Sequence, residues 1–139
     1  MTRVTSILCF AGTLLFLLGL ATGFVIPALK APRIGLSAHL AATQMGVALI
    51  AFGFLWERLT FWNGWSVPLA HVLWISFYIV WAAILLGGLW GSGKALPIAG
   101  AGHVAARWQE QVTLLPLALG SLASFGVVVM LLIQWRWKA

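Results

Sequence analysis

Residues 34–56 read IGLSAHLAATQMGVALIAFGFLW, a run with no Asp, Glu, Lys or Arg. An α-helix needs about 20 apolar residues to cross the roughly 30 Å hydrocarbon core of a bilayer. Three more stretches, 4–29, 59–93 and 111–135, are equally free of charge. Charge at bilayer depth is costly, so its exclusion from four long stretches predicts four membrane-spanning helices. The quoted run also carries His39. An ionisable side chain kept inside a membrane span points to function.

Working outward, the whole chain agrees. It has 139 residues, 63% of them hydrophobic and 7% charged, where a soluble domain carries about 25% charged residues. The reading is all-α: one integral membrane four-helix bundle over residues 1–139, with helices at about 4–29, 36–59, 67–90 and 108–135. The N-terminus, Arg3 followed by an apolar run, has the look of a signal peptide. The run exceeds the roughly 7–15 residues of such a core and is expected to stay as a helix. The net charge of +6 does not indicate nucleic acid, because all eight basic residues fall in connections or at termini, where they meet headgroups and water. The lone Cys9 excludes an internal disulfide and a thiolate cluster, and reads as a small apolar filler.

Gly19 and Gly23 form a small-xxx-small pair that permits close helix contact. The segment Lys30-Ala-Pro-Arg33 reads as a short basic connection, Trp62-Asn63-Gly64-Trp65 as a loop, and Gly91 to Arg107 as the longest non-helical segment, with Pro97 as a breaker. Four spans put both termini on one face, A, and the connections between helices 1–2 and 3–4 on the other, B. Arg3, Arg58, Arg136 and Lys138 fall on A; Lys30, Arg33, Lys94 and Arg107 fall on B. The tie gives no orientation. Trp56, Trp62, Trp65, Trp135, Trp137, Trp90 and Trp108 read as interfacial belts, and Trp74 and Trp81 as deeper residues able to line a cavity.

Few side chains at depth can do chemistry. At 100° per residue Thr43 and Gly46 share nearly the same helix face as His39, so small residues leave room there for a flat ligand. Neutral imidazole is the commonest metal ligand and suits iron; a bond to a backbone carbonyl or headgroup is the plainer alternative. His71, near the face A end of helix 3 and on the order of 20 Å from His39 in depth, reads as structural, and His103 as a solvated loop residue. Tyr78, near mid-membrane, needs a hydrogen-bond partner, either a neighbouring helix or a substrate. Glu110 suits the positive end of helix 4. Glu57 reads as a surface pair with Arg58.

The run Arg33-Ile-Gly-Leu-Ser-Ala-His39-Leu, ending in Gly46, resembles the start of helix 2 in hydroxylaminobenzene mutases and, more distantly, styrene oxide isomerases. Leu89-Trp90-Gly91, Pro97-Ile98-Ala99-Gly100 with His103, and Trp108-Gln109-Glu110 agree in order, so the resemblance spans residues 33–135. It implies a homo-oligomeric integral membrane isomerase, a homotrimer, with ferric haem b at the subunit interface. It implies His39 as the proximal iron ligand and Tyr78 as the residue associated with substrate. The family pattern has asparagine where this chain has Met45 and Val80, and methionine cannot donate the bond an amide would.

The expected reaction is an intramolecular rearrangement of a small hydrophobic aromatic substrate, aryl epoxide to aldehyde or aryl hydroxylamine to aminophenol. Ferric haem would serve as Lewis acid. Thr43 and Gly46 would seat the macrocycle, Arg33 and Arg107 would meet its propionates, and Met45, Trp74 and Trp81 would wall the substrate cavity. A bacterial inner membrane is the expected location. The alternatives are a haem protein passing electrons, which needs a second axial ligand, and a structural subunit without cofactor. A proton-coupled exporter would need a carboxylate within a span, and none is present.

Overall fold

The computed structural model describes residues 2–59, 61 and 64–134. The expectations for Trp62, Asn63, Trp135, Arg136, Trp137 and Lys138 lie outside them. The fold is all-helical: α1 (Arg3–Val25), a 3₁₀ turn (Ile26–Ala28), α2 (Pro32–Trp56), α3 (Ser66–Trp90) and α4 (Arg107–Ile133). All four α-helices are long and apolar enough to cross a membrane, which makes this a multi-pass membrane protein.

Local chemistry sets the ends. Thr2 caps α1 by accepting the Thr5 amide at 3.2 Å. α2 starts at Pro32, earlier than the expected residue 36. A proline at the first helical position has no amide to leave unpaired and a φ already suited to the helix. α3 ends on Gly91 at φ 72°, whose amide returns to Gly87 O at 2.8 Å. The Gln109 side chain accepts the Ala106 amide at 3.0 Å at the start of α4.

α1 and α2 pack most closely, and α3 lies against both. Glycine makes the first contact possible. A Cβ on Gly12 would stand 2.6 Å from Gly46 O, and one on Gly46 would stand 2.7 Å from Gly12 O and Phe16 N. Without a hydrophobic force between helices in lipid, such close backbone approach is what holds a pair together. Apolar clusters fill the seams. Leu8, Leu15, Leu49 and Leu73 sit in one, and Ala31, Ile34, Ala38, Val80 and Ile84 in the other, toward face B.

α4 is different. Among the helices its backbone approaches α3 alone. Only Glu110, Thr113, Gly120, Val127 and Leu131 are buried on it. Its upper end is pinned by polar contacts: Thr113 Oγ1 meets Ser92 Oγ at 3.0 Å, and the buried Glu110 carboxylate accepts the Lys94 and Ala95 amides at 3.3 and 2.8 Å. Glu110 therefore organises the connection between α3 and α4 rather than only meeting the helix dipole. Glu57 also departs from expectation. It accepts the Thr2 amide and the Thr5 hydroxyl, the latter at 2.9 Å, so it ties the start of α1 to the end of α2 rather than pairing with Arg58.

Candidate active site

His39 leans from α2 onto α1. Its Nδ1 lies 2.7 Å from Gly19 O. A carbonyl only accepts, so Nδ1 carries the proton and donates, and in the neutral ring Nε2 keeps the lone pair. The ring rests over Gly23, where a Cβ would come within 3.1 Å of Nδ1. Glycine at 19 and 23 thus brings a carbonyl to the ring and leaves space for it. A histidine whose other nitrogen is held by a backbone carbonyl is the usual arrangement for a metal ligand, because the bond fixes tautomer and orientation.

The room expected beside Thr43 and Gly46 is filled. Thr43 sits against Gly19, and its hydroxyl returns to His39 O and Leu40 O, both at 3.0 Å. Gly46 faces the backbone of α1. Gly46 is therefore a helix-packing residue here, not an open seat for a flat ligand; the reason is that α1 uses the same small residues to approach.

Tyr78 belongs to another side of α1. Its hydroxyl donates to Ala11 O at 2.8 Å, which identifies its partner as a neighbouring helix. Ala11 and Gly19 are eight residues apart, about 12 Å along α1. Tyr78 and Trp74 meet edge to face at 5.7 Å between ring centroids. They line a groove of about 470 Å³ between α1 and α3, with Phe10 and Leu14 opposite. Trp81 reaches α1 nearer the level of His39, donating to Thr22 Oγ1 at 3.2 Å. His39 and Tyr78 thus open on different sides of α1 within one chain, the first between α1 and α2, the second between α1 and α3.

The remaining expected site residues disperse. Met45 packs against both apolar clusters, and Val80 is buried in one of them. Arg33 is exposed in the first turn of α2, about 9 Å along the axis from His39 and about 120° around it. Arg107 lies in a groove with Lys94, Glu110 and Gln111, at the head of α4, whose backbone approaches α3 alone among the helices. That placement separates Arg107 from His39. His71 Nδ1 turns back to Val67 O at 2.9 Å, and His103 packs beside Gly91 and Lys30. Among the described residues no group of three His, Cys, Asp or Glu gathers as a small-ion site. Gly12, seven residues before Gly19, continues the small-residue face against Gly46 and Ile50.

The chain is 40% identical over 125 residues to hydroxylaminobenzene mutase HabB of Ectopseudomonas oleovorans, covering 89% of this chain and 75% of that protein. It is 36% identical over 124 residues to hydroxylaminobenzene mutase HabA of the same organism, covering 88% of this chain and 92% of the relative. No solved structure matches it. The styrene oxide isomerase family model matches residues 4–136, and so this four-span membrane protein, with its carbonyl-held histidine on the second helix, belongs to the styrene oxide isomerase family and is an isomerase.

Proposed function

We propose that the chain is a haem-dependent isomerase that rearranges a small apolar aromatic molecule within the membrane, an aryl epoxide to an aldehyde or an aryl hydroxylamine to an aminophenol. The observation that carries the reading is His39, with Nδ1 committed to Gly19 O at 2.7 Å and Nε2 left as a single imidazole donor on a half-buried ring. That single donor suits haem b, which His39 would hold through Nε2. It does not suit a small ion needing several side chains. His39 would hold the haem, which would supply a Lewis-acidic iron at this site.

The chain does the rest. Gly19 fixes the imidazole, and Gly23 gives the ring its floor. Tyr78, whose proton goes to Ala11 O, keeps oxygen lone pairs that can accept from the N–H or O–H of an aryl hydroxylamine or face the cation developing from an aryl epoxide. Phe10, Leu14 and Trp74 give apolar walls that keep out the water able to trap a developing cation. Arg33 is the proposed partner for the propionates, since guanidinium matches carboxylate geometry bidentately. Helical spans suit a bacterial inner membrane, outer-membrane spans being barrels.

A homotrimer joins the two sides of α1. In a cyclic assembly each contact is heterologous, so one face of a protomer meets a different face of the next. His39 of one chain can then serve the groove of its neighbour. Gln44 supports assembly. It is exposed midway along α2, and its side chain has no partner among the described residues. Hydrocarbon cannot satisfy a carboxamide, whereas a neighbouring protomer can.

The test gives the haem-loaded protein an aryl epoxide or an aryl hydroxylamine without any electron donor or acceptor. Conversion of one of them to its isomer is expected; conversion of neither contradicts the reading. Co-expressing His39→Ala with Tyr78→Phe, each inactive alone, is expected to restore about a quarter of the sites, because a random cyclic assembly pairs an intact histidine with an intact neighbouring tyrosine that often. No restoration would place both residues' work in one chain.

A further inference from the structure

The groove at the head of α4 is not used by the reaction. It encloses about 480 Å³ and is lined by Lys94, Ala95, Ala105, Arg107, Glu110, Gln111 and Leu114. Its acid is already engaged: the Glu110 oxygens accept the Lys94 and Ala95 amides at 3.3 and 2.8 Å. The two cationic side chains are not. Neither the Lys94 ammonium nor the Arg107 guanidinium has a hydrogen bond or ion pair among the described residues, and both are exposed. The groove therefore presents two free positive charges at one end and Leu114 at the other.

The surroundings place it at the membrane edge. Ile98 is 86% and Val104 71% exposed on the connection between α3 and α4, and Trp90 and Trp108 meet edge to face at 5.2 Å just below. Exposed aliphatics and paired tryptophans are what a headgroup region accommodates. A second apolar groove continues along α4 past Val112, Leu115 and Pro116, sharing Gln111 with the first. The shape is a cationic mouth over an apolar channel directed into the bilayer.

We propose that this groove binds an anionic phospholipid, its phosphate between Lys94 and Arg107 and an acyl chain along Leu114 and Leu115. Arginine and lysine are suited to phosphate oxygens, and a basic pocket beside membrane helices is a recurrent way of holding such headgroups. A free phosphate would use the cations but leave the apolar channel unfilled. The occupant stabilises the junction on which α4 depends, since the same connection is pinned by Glu110 and Ser92.

Native mass spectrometry of the detergent-purified protein tests this, with phosphatidylglycerol and phosphatidylcholine of equal chain length as probes. Wild type is expected to prefer phosphatidylglycerol. Each cation near an anionic headgroup contributes about 5-fold, so K94Q/R107Q is expected to lose roughly 25-fold of that preference. K94R/R107K is expected to keep it, which controls for folding, and Arg58→Gln, at the far face, is expected to leave it unchanged. Equal binding of both lipids by wild type, an undiminished preference in K94Q/R107Q, or displacement by equimolar inorganic phosphate would overturn the proposal.

Discussion

The seam between α1 and α2 and the seat of α4 on α3 are both helix contacts in a membrane protein, yet they are held in opposite ways. The first is steric. Gly12, Gly19 and Gly46 let two backbones approach until no Cβ would fit, and Gly23 leaves the space over which the His39 ring lies. The second is polar and terminal. Thr113 and Glu110 fasten the head of α4, while much of its length, including Leu119, Leu122 and Phe125, remains exposed to lipid or a neighbouring protomer. A precise site needs the first kind of contact, because a ring can be held to a few tenths of an ångström only by immovable backbone.

Substitutions should separate the two kinds of contact. The largest effect is expected for Gly12→Leu, whose Cβ would meet Gly46 O at 2.6 Å and Ile50 N at 2.9 Å. Neither can yield, so thermal unfolding in detergent should show a loss of about 3 kcal/mol or more. Gly126→Leu, in open space on α4, should stay within about 0.5 kcal/mol of wild type or above it, because leucine is the better helix former. Equal losses at the two sites would erase the distinction. Next is Glu110→Ala. It leaves the Lys94 and Ala95 amides without their acceptor, a cost of about 2 kcal/mol. Faster hydrogen exchange should be confined to residues 91–106. A smaller change, about 1 kcal/mol, is expected for Trp81→Phe, which removes the bond to Thr22.

The smallest effect concerns pH. The Thr2 amide, then the Thr5 hydroxyl, hold the Glu57 carboxyl below the usual carboxylate range. A lowered folded-state pKa gives stability that is complete above the unfolded value and is lost as pH falls through the folded one. The melting temperature should therefore drop slightly more in wild type than in Glu57→Gln as pH falls below about 4. Parallel curves would remove Glu57 from the account.

The spans were legible because charge is so costly in lipid that its absence marks them. His39 was legible as an ionisable group at depth, and Gly19 and Gly23 as a close-contact pair. The partner they contact was not. In lipid, pairing is decided by shape rather than by hydrophobicity, and the room beside Gly46 suits a helix as well as a flat ligand. Pro32 was read into a connection although its chemistry opens a helix. Glu57 shows a different limit: residues adjacent on a helix do not face each other, and the Thr2 amide and Thr5 hydroxyl that it accepts are more than fifty positions away. Tyr78 and His39 both fall within the spans on a helical diagram, but that diagram does not say which side of α1 each one takes.

The central claim is that His39 offers one held imidazole to a haem. The absorption spectrum of the purified protein, wild type beside His39→Ala, tests it most directly. A Soret band with a high-spin ferric signature, abolished by the substitution while the helical circular dichroism is unchanged, is the predicted result. A wild-type protein still colourless after haem is added, or a Soret band that survives in His39→Ala, would contradict it.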